Sequence, residues 1–142
     1  MHSGYLYVET HDTHPGLVRL GMSERAPDPH EPGMRHVRHI TRFNDVETAM
    51  MHAHELLRRQ LQDLDSRLYS CDLFQAVATV ESLGLKHRRV YLDPNLDEAS
   101  LERIRALTRE RVRGRRRRAR FFQMIGYLAA LLFLVQILTS FR

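Results

Sequence analysis

One uncharged apolar run constrains this sequence more than any other feature: 21 residues from Phe121 to Phe141 without a charged side chain. As a helix rising about 1.5 Å per residue, it would be about 31 Å long, which matches the hydrocarbon thickness of a bilayer. A chain of 142 residues has too small a domain to surround such a helix on every face. The run therefore predicts a single transmembrane helix, and its position predicts a tail-anchored protein.

Arginines are concentrated directly before this run. Ten of them, with the single acid Glu110, lie between Arg103 and Arg120. Because arginine clusters are retained on the cytoplasmic side of a membrane, we expect the N-terminal domain in the cytoplasm. A second role for this segment, in binding nucleic acid, stays open. The arginines that we expect among anionic headgroups are Arg113, Arg115, Arg116, Arg117, Arg118 and Arg120.

The rest of the sequence is acidic, although the whole chain has a net charge of +5. Residues 1–102 contain eleven basic and sixteen acidic side chains. The overall isoelectric point therefore gives no support for nucleic-acid binding by the domain. The single cysteine, Cys71, excludes an intramolecular disulfide. The first residues contain no apolar run, so a signal peptide is not predicted.

Three strands are predicted in the first third of the chain, over Tyr5–Val8, Leu17–Met22 and Val37–Phe43. Side chains alternate between the two faces of a sheet. Leu6 and Val8 should therefore share a buried face with Val18, Leu20 and Met22, and the opposite face should carry Tyr5, Tyr7 and Arg19.

Helices are predicted after the third strand. The first begins at Asn44 or Asp45, either of which can cap it, and apolar residues then recur at spacings of three and four. This stripe comprises Val46, Met50, Ala53, Leu57, Leu61 and Leu64. A second helix is capped by Asp72 and ends before Gly84.

The remaining elements complete an α+β fold. A short edge strand is predicted over Arg89–Leu92, and a third helix begins near Asn95 and is interrupted or bent at Gly114. This organisation gives a small domain over residues 1–93, an arginine-rich helical linker over 94–120 and a transmembrane helix over 121–141.

Several segments in sequence order resemble a known family. They are residues 4–8, 14–23, 45–57 and 68–73, which include Gly4-Tyr5-Leu6-Tyr7-Val8 and the Pro15-Gly16 turn before Leu17. Together they are similar to the GIY-YIG endonuclease superfamily, and more closely to its phage-derived DNA-binding branch, named after an open reading frame of bacteriophage T-five. This resemblance covers about residues 4–84 and implies a three-stranded antiparallel sheet with flanking helices.

The resemblance implies only part of a nuclease site. Tyr7 stands where the family's first catalytic tyrosine lies, and Arg19 replaces the second. Pro32 occupies the place of the helical arginine, and no residue near Ala53 clearly matches the metal-binding glutamate. Phosphodiester hydrolysis needs a metal, a base and a cation, so we expect nuclease activity to be degenerate or absent.

A remnant catalytic site could combine Tyr7 with Glu47 and His54, which lie on one stripe of the predicted first helix with Arg58. The alternative is that this stripe is an ordinary solvated flank of the helix. Mg²⁺ is expected only if nuclease activity is retained, and no other cofactor or metal is predicted.

Two functions remain open from the sequence. In the first, a membrane-tethered module similar to this superfamily binds DNA, with degenerate or absent nuclease activity. The expected nucleic-acid-binding residues are Arg19, Arg25, Arg38 and Arg42, with Arg35 nearby. In the second, the fold is a tail-anchored, non-catalytic scaffold that binds a protein partner at the cytoplasmic face of the membrane. Aromatic residues interleaved with basic residues, a pattern typical of single-strand binders, are not expected in the domain.

Overall fold

A computed structural model describes residues 2–32 and 35–140 of the chain. Phe141 at the end of the apolar run, the following Arg142, and Gly33 after Pro32 lie outside the described residues. The structure confirms the α+β class. Its elements are β1 (Gly4–His11), β2 (Leu17–Ser23), β3 (Arg35–Phe43), α1 (Val46–Leu57), β4 (Leu61–Asp63), β5 (Leu68–Ser70), α2 (Leu73–Glu81), β6 (His87–Leu92) and α3 (Glu98–Ser140).

The sheet has six antiparallel strands in the order β4-β5-β2-β1-β3-β6, so the expectation of three strands is wrong. The three strands predicted first form its centre. The edge strand predicted over Arg89–Leu92 is present as β6 and begins at His87. β4 and β5 extend the other edge, and each has three residues, which is too short to give a periodic signal in the sequence.

The first helix is shorter than its apolar stripe predicted. It ends at Leu57, and a 3₁₀ turn then leads into β4, which begins with Leu61. Leu64 lies beyond β4 and is 62% exposed. Leu61 and Leu64 therefore continue the helical spacing in the sequence without belonging to the helix.

The core lies between one face of the sheet and the helices. Leu6, Val8, Val18 and Leu20 are buried against residues of α1 and α2, as the alternation along the strands predicted. Met22 follows the same alternation but is 38% exposed, because it lies near the end of β2. No helix within residues 2–32 and 35–140 packs against the opposite face of the sheet.

Side-chain caps fix where the helices begin. The Asp45 carboxylate accepts a hydrogen bond from the Thr48 backbone N–H at 3.2 Å, and Asp72 accepts one from Phe74 at 3.0 Å. Both predicted caps are thus confirmed. The third helix is capped by Asp97 and not by Asn95, because the Asp97 carboxylate accepts from the backbone N–H of Ser100.

The third helix is continuous over 43 residues, a length of about 65 Å. The predicted interruption at Gly114 is not found. Within the stretch predicted as a linker, Ile104 is 1% exposed in the core, and Arg103 forms an ion pair with Asp72 at 3.2 Å. The first part of α3 therefore belongs to the packed domain.

Arg115 makes the hydrogen bond to the domain that lies farthest along α3 among the described residues. Its Nη1 donates to the Ser82 carbonyl at 2.7 Å, just after α2 ends. A Cβ at Gly84 would overlap the Arg115 guanidinium, so this guanidinium lies directly against the backbone of the loop. The cation thus satisfies a carbonyl at the negative end of the α2 dipole.

The second half of α3 is long and apolar enough to cross a membrane. None of its most apolar 18-residue stretch is buried within the protein. Phe121, Tyr127 and Phe133 are each more than 60% exposed. This part of the helix is therefore not the core helix of the domain.

The Arg115 contact predicts a difference between two neighbouring arginines. Arg115→Ala should lower the free energy of unfolding by about 1 kcal/mol, because a charged donor to the end of α2 is lost. Arg116→Ala removes the same charge but no hydrogen bond or ion pair within the described residues, and should change stability little. Chemical unfolding in detergent measures both, and equal effects would contradict the proposed role of Arg115.

Candidate functional site

The helix-free face of the sheet brings together side chains from four strands. Strand register places Tyr5 beside Arg42, and Arg42 beside Arg88 on β6. One step along the strands, Tyr7 lies beside Ile40, which in turn lies beside Tyr91. Aromatic and basic residues that are distant in sequence therefore share one surface.

Tyr7 lies flat across its neighbour strand. Its register partner on β2 is Gly21, and a Cβ at Gly21 would overlap the ring of Tyr7. The missing side chain thus lets the ring rest against the β2 backbone. This leaves the tyrosine half-buried, with part of its side chain open to solvent on the helix-free face.

Arg19 lies on the same face and is held at two points. Its Nη1 donates to the Glu9 carboxylate at 2.8 Å, and its Nε donates to the Ser66 carbonyl at 3.1 Å. The hydrogen bond to Glu9 raises the pKa of Arg19 above its ordinary value despite some desolvation. Glu9 therefore offsets the charge of this predicted nucleic-acid contact.

A small cavity opens beside this ion pair. It has a volume of about 220 Å³ and is lined by Glu9, Arg19, His11, His14 and Arg35. Two arginines and two histidines surround this space on the helix-free face. It is a candidate subsite for an anionic group.

The proline-rich loop after β2 covers the part of the helix-free face formed by β3 and β6. The His30 ring meets the Tyr91 ring edge-on, with centroids 6.2 Å apart. Asp28 and Glu31 line a second cavity, of about 420 Å³, together with Glu9. The loop thus adds carboxylates near β3 and leaves the end of the sheet around Tyr5 and Arg42 less covered.

The four arginines predicted to bind nucleic acid do not form one patch. Arg19 and Arg42 share the helix-free face. Arg38 lies on the helix side of the sheet, where it donates to the Thr10 hydroxyl and forms an ion pair with the buried Asp93. Arg25 is exposed in the loop that follows β2.

A bulge explains the position of Arg38. The register between β1 and β3 shifts at Val8 and Glu9, so that Arg38 has no register partner on β1. Strict alternation therefore fails at this point, and it could not have placed Arg38 correctly from the sequence.

The predicted remnant site is divided between the two sides of the sheet. Glu47 and His54 line a groove with Met22 and Tyr69, and His54 Nδ1 lies 3.0 Å from the Tyr69 hydroxyl oxygen. Tyr7 lies on the opposite face, because α1 packs on the side that carries Leu6. The structure therefore does not bring Tyr7 together with Glu47 and His54.

The described residues contain no group of three or more His, Cys, Asp or Glu side chains placed to hold a metal ion. Glu47 is the carboxylate that lines the groove beside His54. Tyr5 lies on the helix-free face, as the alternation predicts, but no sequence pattern indicates Tyr91 and Arg88, which reach the same face as Tyr7 and Arg42 only through the pairing of β6 with β3.

A buried polar network lies on the helix side of the sheet. His39 is fully buried, and its Nε2 donates to Glu81 at 3.2 Å, while Arg89 donates to the same carboxylate at 2.5 Å. Burial lowers the pKa of His39. Burial raises the pKa of Glu81, but the hydrogen bonds from His39 and Arg89 outweigh it and lower that pKa to about 2.

No protein-family model, no curated protein and no solved structure matches the chain. The resemblance to the GIY-YIG superfamily therefore stays a prediction from the sequence motifs.

The buried network predicts a pH-dependent stability. Between pH 6.5, the ordinary pKa of histidine, and the lowered pKa of His39, the unfolded chain binds a proton that the folded chain does not. The free energy of unfolding should therefore decrease as the pH is lowered below 6.5, by up to about 1.4 kcal/mol for each pH unit. Protonation of Glu81 should lower the free energy of unfolding further as the pH falls from 4.5, the ordinary pKa of this group, toward its pKa of about 2 in the folded protein.

The variant His39→Gln isolates the histidine contribution. It should abolish the decline between pH 6.5 and 4.5, while His52→Gln, at an exposed position of α1, should retain it. Chemical unfolding at a series of pH values measures both variants. A decline that persists in His39→Gln would show that another group is responsible.

The packing of Tyr7 predicts a steric requirement at Gly21. Gly21→Ala should destabilise the domain by about 1–3 kcal/mol, because the new methyl group and the Tyr7 ring require the same space. Gly114→Ala is the matched control, since no atom lies within 4 Å of a Cβ built there and alanine favours a helix by about 1 kcal/mol. Thermal unfolding in detergent distinguishes them, and a neutral Gly21→Ala would refute this packing.

Proposed function

We propose that this chain is a single-pass membrane protein whose cytoplasmic domain binds DNA through the helix-free face of its sheet and lacks nuclease activity. One observation carries the DNA proposal. Among the described residues, the face combines three tyrosines and four arginines with two strand carboxylates, Glu9 and, at the β4 edge, Asp63. The tyrosines are Tyr5, Tyr7 and Tyr91, and the arginines are Arg19, Arg35, Arg42 and Arg88.

The exposed apolar half of α3 supports the membrane proposal. Water would contact every turn of this helix in a soluble protein, at a cost of about 25 cal/mol for each Å² of apolar surface. Insertion in a bilayer removes that cost. The arginines before Phe121 then favour the orientation with the domain in the cytoplasm.

The chemistry of the face suits DNA with unpaired bases. Arginine guanidinium groups pair with phosphates, and half-exposed tyrosine rings offer surfaces on which bases stack. Tyr7, flat against Gly21, is already held in place before a base arrives. A stacking surface of this kind is sequence-tolerant, because every base has an aromatic face.

The same geometry supports binding without hydrolysis. Neither Glu47 nor His54 of the predicted remnant site lies near Tyr7, because both are on the other side of the sheet. Arg19 is engaged by Glu9 and would stabilise the charge of a reacting phosphate only after that ion pair opened. We therefore propose a degenerate member of the nuclease superfamily that it resembles.

A second candidate function has its own observation. Met22, Met51 and Leu64 are exposed apolar residues that all line the groove between α1 and β5. Methionine-rich grooves adapt to varied apolar partners. The alternative is thus a non-catalytic scaffold that binds a membrane protein partner in this groove.

The decisive experiment is a DNA-binding titration of the full chain in nanodiscs of neutral lipid, at two salt concentrations. Single-stranded DNA should bind in a salt-dependent manner. Arg42→Glu should weaken binding at least tenfold, because it removes a phosphate contact and introduces repulsion. Glu9→Gln should strengthen binding, because it frees the Arg19 guanidinium.

The matched control is Arg59→Glu, the same charge reversal at an exposed arginine in the turn after α1. All variants keep the juxtamembrane arginines, so differences between them report on the sheet face. If Arg59→Glu weakens binding as much as Arg42→Glu, the interaction is a general charge effect. Absence of salt-dependent binding would favour the scaffold function.

A further inference from the structure

The loop between α2 and β6 occupies a fixed position along α3. Arg115 donates to the Ser82 carbonyl at the start of this loop, and its guanidinium lies against Gly84. Because α3 is continuous, the height of the loop along the helix axis is set by Arg115.

At this position the loop is close to the apolar segment of α3. Phe121 follows Arg115 by six residues, which is about 9 Å along a helix. The headgroup layer on each side of a bilayer is about 5–8 Å thick. If the apolar half of α3 spans a bilayer, as proposed above, the loop lies at the outer edge of the lipid headgroups.

The residues that follow Gly84 carry unpaired positive charge. Lys86 and Arg88 are exposed, and neither forms an ion pair or hydrogen bond within the described residues. Their neighbour Arg89 differs, because it is engaged by Glu81. Two cations at this end of the domain are therefore free to bind an external anion.

The acidic side chains at the same end of the sheet either have other partners or lie several strands away. Glu81 binds Arg89 and His39. Asp45, two residues after the register partner of His87, accepts from the Thr48 backbone N–H as the cap of α1. Glu24 follows β2, and Glu47 lines the groove beside β2 and β5. β2 lies three strands from β6, about 14 Å away at ordinary strand spacing. Lys86 and Arg88 thus extend the positive surface of the arginines that precede Phe121.

We propose that Lys86 and Arg88 bind the phosphates of anionic phospholipids, so that the domain is docked on the bilayer surface and not merely tethered to it. This inference rests on the proposed transmembrane helix. Arg88 lies where this surface meets the helix-free face of the sheet, so bound DNA would run beside the membrane. The proposal assigns a lipid-binding role to the domain itself, in addition to the juxtamembrane arginines.

Lys86 allows a direct test, because it is the only lysine in the chain. The full chain is reconstituted into vesicles of phosphatidylcholine alone, or mixed about two to one with phosphatidylglycerol. A membrane-impermeant acylating reagent then modifies Lys86, and mass spectrometry gives the rate. We expect the rate to fall about fivefold in the anionic vesicles, which corresponds to about 1 kcal/mol for a cation at such a surface.

Two variants provide the controls. Arg59→Lys introduces an amine in the turn after α1, remote from the loop, and its acylation should be the same in both vesicles. Arg88→Glu should restore most of the Lys86 rate in anionic vesicles, because it weakens docking. Equal Lys86 rates in the two vesicles, or equal protection of both amines, would overturn the proposal.

A separate measurement tests the membrane span on which this inference rests. Alkaline carbonate releases peripheral proteins from vesicles and leaves transmembrane proteins in the pellet. Release of the chain would refute the proposed span. Retention together with unprotected Lys86 would refute only the docking.

Discussion

The attachment of α3 to α2 determines how every other surface of this protein is presented. Ile104 fills the core and Arg115 binds the end of α2, so the first part of α3 is an element of the domain. The same helix then continues as the exposed apolar segment. No flexible connection separates the two parts, and the proposed membrane helix therefore also fixes the orientation of the sheet.

The alternation of side chains along β1 and β2 divides the domain into two chemically different sides. Leu6 and Leu20 face the helices, and this side contains the core, the His39 network and the methionine-lined groove. Tyr7 and Arg19 face away from the helices. The two candidate functions proposed for the protein use opposite sides of one sheet, so a DNA strand and a protein partner would not compete for the same residues.

Much of the fold follows from local signals, whereas the site depends on pairing between strands. The central strands, the caps at Asp45 and Asp72 and the apolar helix were predictable, because each has a periodic or capping pattern within a few residues. The apolar spacing predicts a helix that includes Leu61, because spacing alone cannot show where a 3₁₀ turn ends a helix. The bulge at Arg38 reversed the expected side of that residue, and the neighbours of Tyr7 come from strands that only tertiary structure brings together.

The length of α3 gives this domain a mechanical property. Transmembrane helices tilt to match their hydrophobic length to the thickness of the bilayer. The part of α3 from Glu98 to Arg115 forms a lever of about 25 Å, so a change in tilt of about 10° would displace its far end by about 4 Å. A local change in bilayer thickness would thus be converted into movement of the hairpin and loop farthest from the membrane, without any change in the packing of the domain.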